Sequence, residues 1–196
     1  MHSLLPLALF AFVSSITPGP NNIMLTSSGI RFGFARSIPH MLGITSGFAL
    51  MLIACALGIG SLILAMPTLH VVLRVAGSGY LIYLAWQLRS IAFSQNMTPD
   101  QRPMTFFGAA MFQFVNPKAW VMAVTGVAAF MPVVQPIALA IGLFCAVFSA
   151  INFPCVGVWA AGGAALRRHL AEPKWQRLFC GVMVVLTLYA ALAIWL

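Results

Sequence analysis

Side chains that could do chemistry are scarce in this sequence, and the few present are unusually placed. The only carboxylates are Asp100 and Glu172, both in polar connecting segments, so no acid pair and no Ser-His-Asp set can form within an apolar stretch. Four cysteines, Cys55, Cys145, Cys155 and Cys180, lie in apolar runs without paired metal spacing, and the four histidines form no ligand cluster. No catalytic residue, metal or cofactor is therefore expected. Two motifs remain: Thr17-Pro18-Gly19-Pro20-Asn21-Asn22, and Gln113 followed by Asn116-Pro117-Lys118. Each sets proline, amide side chains or a cation in the middle of a long apolar run.

Proline inside a helix removes one amide donor and clashes with the carbonyl a turn back, yet it is favoured at a helix's first position, after Thr or Asn as N-cap. Thr17-Pro18 and Asn116-Pro117 therefore both read as a helix restarting inside an apolar segment. A restarted helix directs unpaired amides and about half a positive charge into the gap, which favours an anion. Lys118 adds a full charge, which costs about 3 kcal/mol inside a membrane span unless something compensates it. No span offers an acid, so the expectation is that Lys118 and the two restarts bind a substrate carboxylate, with Asn21, Asn22, Asn116 and Gln113 as hydrogen-bonding groups. The structural alternative is a pair of ordinary proline kinks, with Lys118 held by backbone carbonyls or an anionic lipid.

The elements that must position these motifs follow from composition. Of 196 residues, 62% are hydrophobic and 6% charged, against about 25% charged in soluble domains. A bilayer core needs about 20 apolar residues per helix, and six runs qualify: 4–27, 40–65, 69–88, 106–131, 137–162 and 178–196. They are long and apolar all round, unlike the short alternating strands of a barrel. The expected fold is an all-α integral membrane bundle of six transmembrane helices, one domain over 1–196. The first run lacks a basic leader and a cleavage site, so it is read as a span rather than a signal peptide.

Eight basic residues, Arg31, Arg36, Arg89, Arg102, Arg167, Arg168, Lys174 and Arg177, fall in alternate connecting segments, and the other connections hold none. The positive-inside rule then puts both termini on the outer side. Arg74 breaks the pattern mildly and reads as a snorkelling anchor. No basic stretch is dense enough for nucleic acid. Three spans lie on each side of the polar connector 94–103, so related halves would be inverted repeats, 1–93 and 104–196, with the first helix of each interrupted by its proline motif. On this count Lys118 and Pro18 come to similar depths, about 18 and 20 Å from opposite faces.

Lesser features have bland readings. Gly29-x3-Gly33 falls largely in a loop, Gly43-x3-Gly47 suits close helix packing, and Asn152 with Pro154 would interrupt the fifth span and line the same cavity or simply kink it.

The proline motifs, Gly33-Phe34 with Arg36, and Phe112-Gln113-Phe114-Val115-Asn116-Pro117-Lys118-Ala119-Trp120 closely resemble the LysE/RhtB family of amino-acid exporters, over the whole chain and nearest its threonine, homoserine and cysteine/O-acetylserine branch. The resemblance implies efflux across the bacterial cytoplasmic (inner) membrane, driven by the proton gradient, often as a homodimer. The lack of an intramembrane carboxylate disfavours cationic substrates and leaves His40, near the cytoplasmic end of the second span, as the nearest titratable candidate for proton coupling, although its position also suits a solvated interfacial histidine. Two other classes remain open: a structural or assembly subunit, whose partner would supply the acid for Lys118, and a lipid-modifying enzyme, for which no residues are available.

Overall fold

Long apolar runs leave the backbone no partner but itself, and in the computed structural model every regular element among the described residues is helical. The structure describes residues 4–58, 68, 71–72, 75, 78–79, 82–83, 85–86, 102–167 and 172–193. Most of the expected third span and connector, with Arg74, Arg89, Asp100 and Arg168, lie outside the described residues. The helices are α1 (Leu5–Ile16), α2 (Pro20–Phe32), α3 (Phe34–Ala56), α4 (Phe106–Phe112), a 3-10 turn (Gln113–Val115), α5 (Pro117–Phe130), α6 (Ile137–Leu166) and α7 (Pro173–Ala193).

Several boundaries differ from the sequence expectation for local reasons. Between α2 and α3 the chain turns on Gly33 alone, at φ 82° and ψ 169°, a region open essentially to glycine. With so short a turn, α3 begins at Phe34 and absorbs Pro39 within its helix, at the loss of one backbone bond. Gly29 lies inside α2 rather than in a loop. Asn152 and Pro154 do not interrupt α6, which runs unbroken through both.

Only α3 and α6 are each long and apolar enough to cross a membrane by themselves, among the described residues. The distribution of polarity is nevertheless inverted relative to a soluble protein. Leu57, Phe107, Val133 and Val185 are largely exposed on the outside, Val133 at 85%, while Asn22, Gln113, Asn116 and Asn152 are buried. Polar groups placed inside and large apolar ones outside suit a hydrocarbon solvent, not water.

The helix α6 forms the centre, packed against α1, α2 and α3, with α3 in turn against α4 and α5. Small residues allow these approaches: Gly29 backs onto Ala160 and Ala164, Gly163 onto Thr26, and Gly43 and Gly47 onto Phe106, Ala109 and Ala110. Above these contacts Phe48, Phe144 and Phe148 fill the core, with Phe48 and Phe148 ring centres 5.0 Å apart. Arg31 and Arg36, flanking the Gly33 turn, both lie over the Phe32 ring at 5.9 and 5.6 Å.

Adjacent glycines make a clean test of this packing. A side chain at Gly163 would strike the Thr26 backbone, whereas one at Gly162 meets open space. We expect Gly163→Leu to cost about 1 to 3 kcal/mol and Gly162→Leu less than about 0.5 kcal/mol. Thermal unfolding in detergent measures the difference, and equal midpoints would contradict the α2–α6 contact.

Candidate functional site

Between α1 and α2 the chain leaves helical geometry for three residues, and its freed carbonyls have to be satisfied inside an apolar bundle. Thr17 is extended (φ −65°, ψ 146°) and ends α1; Gly19 is extended and precedes Pro20, the first residue of α2. The restart is therefore two residues later than Thr17-Pro18 suggests, and Thr17 closes a helix rather than opening one.

Each carbonyl from Val13 to Gly19 receives a donor. Thr17 N–H donates to Val13 O at 3.2 Å and Ile23 N–H to Gly19 O at 3.0 Å. The Thr17 hydroxyl donates to Ser14 O at 3.1 Å. Asn22 Nδ2 donates to both Ser15 O (2.9 Å) and Thr17 O (2.8 Å), and Trp159 Nε1 on α6 to Ile16 O (3.1 Å). Lys118 Nζ closes the account, donating to Thr17 O at 2.8 Å, Thr17 Oγ1 at 3.0 Å and Pro18 O at 3.2 Å. Three acceptors match the three ammonium protons. The cation also sits at the negative end of the α1 dipole.

The second break is finished differently. Asn116 caps α5, its Oδ1 accepting from Lys118 N–H at 3.1 Å, with Pro117 buried at the first position. The α2 start has no such cap. Since the first-turn amides of a helix lack internal partners, Asn21 and Asn22 present theirs uncapped, beside Lys118. The two restarts, alike in sequence, are thus not equivalent; the anion-favouring end is that of α2.

Paired amides tie the two breaks together. Asn21 Nδ2 donates to Gln113 Oε1 at 2.8 Å, and Gln113 Nε2 returns a bond to Asn21 Oδ1 at 3.2 Å and donates to Ala109 O at 2.8 Å. A third polar chain runs from Thr45 Oγ1 to Asn152 Oδ1 (3.2 Å) and from Asn152 Nδ2 to Ser15 Oγ (3.0 Å). Asn21, Gln113, Asn152 and Ser15 line a cavity of about 30 Å3, whose apolar wall is Ile44, Phe48, Met122 and Val156. At roughly 10 to 15 Å3 per water it holds about two, so an amino acid requires the helices to part.

Of the residues singled out from sequence, Gly19, Pro20, Asn21, Asn22, Gln113, Asn116 and Lys118 line this cavity; Thr17, Pro18 and Pro117 do not. Gly19 is a matter of room, since a Cβ there would lie 2.7 Å from Lys118 Cδ. Ser14, Ser15, Ile44 and Phe48 line it as well without having been singled out, although a serine pair just before the break was a signal for the first two. His40 does not line the cavity, and it is not solvated: it is 2% exposed, and among the described residues neither ring nitrogen has a hydrogen-bond partner. With α3 starting at Phe34, His40 lies within the helix rather than at its end.

An apolar exterior around a polar cavity lined by one half-buried cation defines a membrane-embedded protein with an internal polar cavity. The family model described as LysE type translocator matches residues 12–194, and the chain belongs to that family. Among curated proteins it is similar to the cysteine/O-acetylserine efflux protein of Escherichia coli O139:H28, 29% identical over 94% of this chain and 93% of the relative. It is also similar to the protein of that name from Klebsiella pneumoniae, 31% identical over 81% of each, and that from Shigella flexneri serotype 5b, 29% identical over 96% and 98%. No solved structure matches it significantly.

Asn22 is the one donor to Ser15 O and shares Thr17 O with Lys118. Asn22→Leu keeps the volume and removes both bonds, leaving Ser15 O orphaned at about 1 to 3 kcal/mol while Thr17 O keeps the ammonium. A marked fall in the detergent unfolding midpoint is expected; an unchanged midpoint would mean that water replaces the amide.

Proposed function

We propose that this chain is a secondary carrier, not an enzyme, exporting small neutral amino acids or their derivatives, of the threonine, homoserine, cysteine or O-acetylserine class, from the bacterial cytoplasm by proton antiport. The observation that carries the reading is Lys118 beside the uncapped α2 start in a cavity without a carboxylate. An arriving carboxylate takes the Asn21 and Asn22 amides and draws Lys118 from its longest contact, Pro18 O at 3.2 Å. The α-ammonium then has the oxygens of Asn21, Gln113, Ser14 and Ser15 as acceptors, and the side chain packs on Ile44, Phe48, Met122 and Val156. A cationic side chain would find no counter-charge there. The family membership and the names of the relatives support efflux.

In this reading six spans sit in the inner membrane as two inverted three-helix repeats, 1–93 and 104–196, each with a broken first helix and with both termini outside. The breaks then lie at the midplane where the repeats meet, as in other carriers of that design.

The three protein acceptors of Lys118 also favour a second reading, in which it merely staples the break. Lys118→Met separates the two in purified protein and in inside-out vesicles. As an anion site it loses binding and uptake of labelled cysteine, kept reduced, by about tenfold or more, the worth of a charge-assisted bond. As a staple it loses stability alone, and unchanged transport would overturn the anion site.

A further inference from the structure

Buried polar atoms in folded proteins are nearly always paired, and those that are not call for an explanation. Among the described residues, the two ring nitrogens of His40 are the only buried side-chain nitrogens or oxygens with no partner. The residue is 2% exposed. Along α3 it precedes Ile44 and Phe48 at four-residue spacing, so the three share one face, and the latter two line the cavity. His40 therefore lies one helical turn, about 6 Å along the axis, from the cavity wall, on the side of the Arg31 and Arg36 end.

The charged and titratable side chains on the elements packed against α3 are few. They are Arg31 on α2, Lys118 on α5, and Cys145 and Cys155 on α6; α1, α4 and the 3-10 turn carry none, and α3 itself adds Arg36 and Cys55. No carboxylate is among them. A neutral imidazole tolerates this surrounding, whereas an imidazolium needs acceptors that the described residues do not offer it here. Histidine is also the one side chain whose ordinary titration falls between pH 5 and 8.

Resting on the exporter reading above, we infer that His40 is the group that carries the antiported proton. One proton from the outer solution binds a free ring nitrogen when the carrier opens outward, and leaves from that nitrogen to cytoplasmic water when it opens inward. With the substrate carboxylate held at Lys118, the α-ammonium is the substrate's charge that stands away from it. An imidazolium one turn from the cavity repels that ammonium, so proton and amino acid exclude each other. Mutual exclusion on one carrier is antiport.

The test compares two modes of transport in proteoliposomes, using labelled cysteine with reductant. The wild-type chain accumulates it against an imposed pH gradient and also exchanges it in counterflow without one. His40→Gln is expected to lose gradient-driven accumulation about tenfold or more while retaining counterflow, and its counterflow no longer varies between pH 5 and 8. His40→Leu should transport in the same way and unfold at or above the wild-type midpoint, because it removes two unpaired atoms. Accumulation by His40→Gln at the wild-type level overturns the assignment, as does a parallel loss of counterflow in both variants. Absence of counterflow in the wild-type chain instead sinks the exporter reading, and this assignment with it.

Discussion

Everything at the centre of this protein follows from carbonyl groups that a broken helix leaves without amide partners in a medium that supplies no water. Between Val13 and Gly19 the chain solves this with donors borrowed from three directions: Asn22 from the next helix, Trp159 from α6, and Lys118 from α5. The break is thereby tied to elements far away in sequence. A half-buried cation among apolar helices and a helix end that exposes oxygens are each costly alone, and together each relieves the other.

The balance is incomplete in one respect. Carbonyl dipoles solvate the ammonium but do not neutralise it, and no described acidic side chain pairs with it. The positive charge is met at the same place by the α2 start, whose first amides have no cap. A ligand carboxylate would satisfy both, and Ile44, Phe48, Met122 and Val156 give the same cavity an apolar wall. The same physics that holds the break shut therefore defines what could open it.

Much of this was legible in the sequence because hydrocarbon solvent limits the options so strongly. Long apolar runs can only be helices there, and Pro-Gly-Pro and Asn-Pro-Lys marked where the helices break around the polar cavity, since prolines, amides and a cation are costly in such runs unless a break or a ligand uses them. What stayed open depended on tertiary partners. From sequence the restart falls at Thr17-Pro18, whereas the helix begins at Pro20, with Gly19 giving clearance beside Lys118 and Asn22 bonding back to Thr17 O. The expected second span begins at 40, yet after the one-residue turn at Gly33 the helix α3 starts at Phe34 and runs through Pro39, and His40 within it is buried. Asn152 looked like an interruption because its partners, Ser15 and Thr45, are more than a hundred residues away in sequence.

The central claim is that the ammonium of Lys118 and the uncapped start of α2 bind the carboxylate of the transported solute. Its most direct measurement is equilibrium binding to the purified wild-type protein of cysteine and of cysteamine, which differ by that carboxylate alone, with both kept reduced. Cysteine should bind more tightly by about ten- to a hundredfold, the worth of one or two charge-assisted hydrogen bonds. Equal affinity for the two compounds would contradict the account.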